Sequence, residues 1–289
     1  MAHTIQRSQG RDTLRYVRLM LLVVPLLLVV AIVIYGLVNQ RIEDSLSSYY
    51  LGPARDLFVA MLVTTGALLV VYSGEELEDY ALNLAGFYAM FVALVPTKLG
   101  ETLSTLAPSD QSKLILSVRV AIVAVLVVSA AFVWLGFKTA RTPHQALAHS
   151  SLTKTLGWIS TALLAVFVAL LLFRAIEGKA FAWVHASAAF LLIFSMGIAI
   201  ASHLGHAPMC PADTSGGTPN RYRVILGLMA LGLIAWPILL IAGVDEALFI
   251  VEWFQIGLFA YFWYVESRRL WDPVTKICEG EIGAEDKNL

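Results

Sequence analysis

Long apolar runs alternate with short polar connections along nearly the whole chain. They span residues 19–38, 57–73, 81–97, 114–137, 155–173, 182–202, 224–243 and 247–265. Each is close to the ~20 residues that an α-helix needs to cross ~30 Å of hydrocarbon. Water is absent there, so backbone N–H and C=O groups must bond within the segment, and the runs are predicted as helices. The pattern predicts an all-α bundle of eight transmembrane helices over 19–266, flanked by polar tails at 1–18 and 267–289. Pro96 ends the third run, whereas Pro237 interrupts the seventh and predicts a kink there. The two positions do not correspond, so a duplicated four-plus-four architecture is not apparent. The stretch 208–220, dense in Pro, Gly, Ser, Thr and Asp, reads as a loop.

Composition strengthens this picture: 58% of residues are hydrophobic, 14% are charged, and the mean hydropathy is +0.76. Net charge is −1, with no basic stripe of the kind that tracks nucleic acid. Charge placement supplies an orientation. Arg7, Arg11, Arg15 and Arg18 precede the first run. With that end cytoplasmic, thirteen Lys and Arg fall on the inner side and seven on the outer. Both termini are therefore expected inside, in a bacterial inner membrane. Cys210 and Cys278 then lie on the reducing side and read as free thiols.

Ionisable residues at membrane depth are costly and therefore informative. Asp56, Arg119, His185 and Glu252 lie within a turn or two of drawn span ends, all of them outer ends in this orientation. The first outer connection adds Ser45, Ser48, Tyr50 and Arg55, and Gln255 stands three residues after Glu252 on one helical face. These residues form the candidate ligand-binding set: Ser45, Ser48, Tyr50, Arg55, Asp56, His185, Glu252 and Gln255. The alternative is purely structural: Arg119 and Arg174 snorkel to the interface, Arg55 and Asp56 cap a helix, and His185 pairs with Glu252. His203, His206 and Cys210 have a spacing that could suit a metal, although helix-end histidines and a loop thiol explain it as well. No cofactor is expected. The late runs lack the lysine a retinal protein needs, histidines on two spans suited to a haem are missing, and no phosphate-binding loop is usefully placed.

The string Ser45–Tyr50 followed by Arg55-Asp56-Leu57-Phe58-Val59 resembles a motif of uncharacterised bacterial multi-pass membrane proteins, the "domain of unknown function 998" type. Residues 83–97, the Val184-His185 segment and Ala247-Leu248-Phe249 with Glu252 are similar to that family's third, histidine-bearing and last spans. A fainter likeness extends to DRAM-like and GPI-remodelling membrane proteins. The resemblance covers the first three and last three spans and leaves 114–137 and 155–173 as additions. It implies that Ser45, Tyr50, Arg55, Asp56, His185 and Glu252 act as a set, without implying a reaction.

The function expected is binding of a lipid headgroup or small solute in an outward-facing polar pocket, with membrane lipids as partners and no nucleic acid. The first rival is a proton-coupled transporter in which Glu252 or His185 carries the proton. The second is a metal-dependent hydrolase with Asp56, His185 and Glu252 as ligands.

Overall fold

The computed structural model describes residues 2–40, 45–52, 54–72, 74, 76–97, 99–139, 151–178, 181–204, 218–244 and 247–271. They form α1 (Ala2–Asn39), a 3-10 helix (Leu46–Leu51), α2 (Arg55–Val71), α3 (Glu76–Leu94), α4 (Leu99–Thr105), α5 (Pro108–Thr139), α6 (Ser151–Glu177), α7 (Val184–Ser202), α8 (Thr218–Ile241) and α9 (Ala247–Trp271). Every apolar run has a helix, and no strand occurs among the described residues.

Seven helices, α1, α3 and α5 to α9, are long and apolar enough to cross a membrane. The chain is accordingly a multi-pass helical membrane protein. The exception among the eight runs is α2, whose 17 residues reach about 25 Å at ~1.5 Å per residue. Helix α1 begins at Ala2, within the stretch read as a polar tail, and α9 runs past 266 to Trp271. Pro237 lies within α8, which continues to Ile241.

Helices α1, α2, α3, α7, α8 and α9 pack in a closed circuit, each on the next, with α9 returning to α1. The circuit is made of the helices of the first three and last three apolar runs. Helices α5 and α6 sit outside it, α5 against α3 and α6 against α7. Helix α5 is the least buried of the seven long apolar helices: 11% of its apolar stretch is buried, against 67% of that containing α3. The side chains of α6 also reach α3. Phe167 stacks edge-on against Phe87, Tyr88 and Phe91, and Thr161 Oγ1 lies 2.9 Å from the Tyr80 hydroxyl.

Lipid tails are as apolar as Leu, so burying Leu gains little inside a membrane, and close packing of small residues takes over. Helices α2 and α3 meet through Gly66 and Gly86. A Cβ on Gly86 would stand 2.5 Å from the Gly66 carbonyl oxygen, and one on Gly66 would stand 2.9 Å from that of Gly86. The two backbones touch because neither residue has a side chain. Ala81, Ala85, Ala89 and Ala93, all buried, keep the rest of α3 thin.

Candidate functional site

Polar side chains gather at both ends of the circuit. At one end, Pro96 stops α3, and the last carbonyls of a helix have no partner of their own. Side chains from neighbouring elements supply them. The Tyr50 hydroxyl donates to the Leu94 carbonyl at 3.4 Å, and His185 Nδ1, on α7, lies 2.7 Å from the Val95 carbonyl. A carbonyl can only accept, so Nδ1 carries the proton in that bond. Thr97 Oγ1 then meets Ser47 Oγ at 3.0 Å.

Ser47 belongs to the 3-10 helix, and Glu252 of α9 closes over that helix's start. The carboxylate accepts from the Leu46 N–H at 2.7 Å and from Ser47 Oγ at 3.5 Å. Ser45 caps the same turn. Its Oγ accepts from the Ser48 N–H at 3.1 Å and lies 2.9 and 3.0 Å from the hydroxyls of Ser48 and Ser47. Ser45, Ser48, His185 and Glu252 are thus brought to one seam, where Ser45, His185 and Glu252 satisfy backbone groups and Ser48 bonds the Ser45 hydroxyl.

Arg55 and Asp56 lie outside that seam. They are exposed at the start of α2 and line an open groove of about 470 Å³ together with Tyr50, Val59, Val63 and Val118. The Arg55 guanidinium rests 4.8 Å above the Tyr50 ring and donates to its hydroxyl at 3.3 Å. Tyr50 is the shared wall, with its ring toward the groove's arginine and its hydroxyl also bonded into the seam. The expected single pocket is therefore divided into a buried seam and a groove. The physical reason is that orphan carbonyls and N–H groups recruit the buried side chains first.

Gln255 goes elsewhere. Three residues turn a helix by roughly 300°, which points Gln255 at α8. Its Nε2 donates to the Met229 carbonyl at 2.9 Å and fills the space beside Gly232. Arg119, expected to snorkel, donates to the Ile176 carbonyl at 3.3 Å, at the C-terminus of α6. A cation suits that end of the helix dipole. Gly178, in the left-handed region at φ +63°, leaves the room for its guanidinium. Arg174, also expected to snorkel, pairs with Glu177 within α6.

The opposite end holds a second cluster, unanticipated as a unit. All six circuit helices contribute to it: Arg18 from α1, Tyr72 directly after α2, Glu78 from α3, His203 directly after α7, Tyr222 from α8 and Glu266 from α9. Glu266 is fully buried, with 0% exposure, and Glu78 is 2% exposed. Arg18 Nη1 lies 3.1 Å from Glu266 Oε2, and its Nη2 donates to Tyr72. Tyr222 donates to Glu266. His203 Nε2 lies 3.1 Å from Glu78 Oε1, and its ring stacks on Tyr222 with centroids 5.1 Å apart. Burial of two carboxylates is tolerable because each has a cationic or hydrogen-bonding partner. His203 is thus engaged by Glu78, while His206 and Cys210 lie outside the described residues. Among the described residues, no group of three or more His, Cys, Asp or Glu is placed to hold a metal.

No protein-family model, curated protein or solved structure matches this chain.

Proposed function

We propose that the chain binds a phospholipid headgroup in the groove at Tyr50, Arg55 and Asp56. The observation that carries this reading is the amphipathic layout of the groove. One end offers Arg55 and Asp56 at a helix start, and the walls continue along α2 as Val59, Ala60 and Val63, faced by Val118 and Ala121 of α5. A headgroup phosphate suits Arg55 and the positive end of the α2 dipole. An amine on the same headgroup suits Asp56, and an acyl chain suits the apolar walls.

The experiment is native mass spectrometry of the purified full-length protein with phosphatidylethanolamine, phosphatidylglycerol and soluble phosphoethanolamine. Arg55→Ala is expected to lower bound phospholipid about tenfold, the scale of one charge-assisted hydrogen bond. Asp56→Asn should erase a preference for phosphatidylethanolamine over phosphatidylglycerol. Unchanged lipid retention in both variants would overturn the reading. Binding of phosphoethanolamine as tight as that of the lipid would replace the lipid with a small solute.

The same reading takes α2 as a short eighth span, both termini as cytoplasmic, and the membrane as the bacterial inner one. The Ser45 end then faces outward and the Arg18 end inward. Alternation supports this, since contacts gather successive helix ends at opposite ends of the bundle. The excess of Lys and Arg toward the Arg18 end agrees. A cysteine introduced at position 285 should resist an impermeant thiol reagent in intact cells and react after the cells are opened. Reaction in intact cells would reverse the orientation. A transporter is the second reading, favoured by the buried cluster at the Arg18 end, which lies where an inner gate would have to be.

A further inference from the structure

We propose that Glu78 and His203 form a proton-binding site that clasps the inner end of the bundle. This goes beyond lipid binding and does not depend on what occupies the groove. The pair joins α3 to the end of α7, with 3.1 Å between Nε2 and Oε1, and the two side chains are 13% and 3% exposed. Imidazole is the side chain whose charge changes most readily near neutral pH. A proton taken from the inner aqueous phase converts the contact into a charge-assisted N–H···O bond between imidazolium and carboxylate. When that proton is lost, a neutral ring faces a buried carboxylate, and the contact weakens at constant geometry.

The surroundings make this site responsive. Glu78 faces His203 from α3, and Tyr222 and Phe262 face it from α8 and α9. Tyr222 donates onward to Glu266 of α9, which pairs with Arg18 of α1. Arg18, Glu78 and Glu266 all act electrostatically on Tyr72 at the end of α2. Glu78 also acts electrostatically on Asp79, its neighbour on α3. His203, at the end of α7, thus meets α3, α8 and α9 directly. The other ionisable groups at span ends contrast with this. His185 is bonded to the Val95 carbonyl and Glu252 to the Leu46 N–H, backbone partners whose charge never changes.

The test compares thermal midpoints of the purified full-length protein, wild type, Glu78→Gln, His203→Gln and the double variant, between about pH 6 and about pH 8.5. The sign follows from the proton: the imidazolium pair stabilises at low pH, and its contribution is lost as pH rises. The wild-type midpoint should fall by about 2–5 °C more than that of His203→Gln across this range. The non-additivity between the single variants should be largest at the acidic end and shrink towards the basic end. Should a variant fail to accumulate, nitrogen-15 histidine spectra of the wild type give a second readout. They should show His203 doubly protonated near pH 6 and singly protonated near pH 8.5. Parallel pH profiles for wild type and His203→Gln, or a His203 signal unchanged over the range, would overturn the proposal.

Discussion

Gly86→Ala is expected to destabilise the bundle severely, although it adds a single methyl group. That carbon would sit 2.5 Å from the Gly66 carbonyl oxygen and 2.6 Å from Val70 Cγ2. The oxygen belongs to a helix backbone, so relief requires α2 to move away from α3 along its length. Overpacking of this kind costs about 1–3 kcal/mol, and a backbone obstacle places it at the upper end. Gly257→Ala on α9, where a Cβ meets nothing within 4 Å, is the control. It should be neutral or stabilise by up to about 1 kcal/mol through helix propensity. Thermal midpoints from fluorescence-detected size exclusion would separate the two. Equal midpoints would mean that α2 and α3 do not meet through these glycines.

Arg18→Met should be the most damaging change at the opposite end of the bundle. It leaves Glu266, with 0% exposure, without the guanidinium 3.1 Å away. Breaking a buried pair by removing one partner costs about 3–5 kcal/mol, mostly as the penalty of the stranded charge. The double variant Arg18→Met with Glu266→Gln removes both charges and keeps an acceptor for the Tyr222 hydroxyl. It should recover most of the loss. A double variant as unstable as the single one would show that Arg18 matters through its packing on the Tyr72 ring, 5.1 Å from the guanidinium carbon.

Helices were legible in the sequence because apolar length alone demands them in lipid, and each run found its helix. Neighbours were not legible. Arg18 counted toward orientation, His203 suggested a metal, and Glu78 and Glu266 stand just beyond the ends of apolar runs. Each has a sufficient local explanation, and only the packing order of the circuit places them together. The Ser45 end was read better, since Ser45, Tyr50, His185 and Glu252 do converge there. Ser47 and Thr97, which link Glu252 to the end of α3, escaped notice because a hydroxyl carries no cost signal in a sequence. Asp56 was drawn into the same set by depth, a coordinate that says nothing about which side of a helix faces the seam. Gln255 shows the converse: a spacing of three places residues near one face while still aiming them at different neighbours.

The most direct test of the lipid reading is a cryo-electron microscopy map of the protein in nanodiscs containing phosphatidylethanolamine. The account predicts headgroup density within hydrogen-bonding distance of Arg55, with acyl density continuing past Val59 and Val63 between α2 and α5. A groove that faces away from the bilayer, or that stays empty while lipids are ordered elsewhere on the bundle, would contradict it.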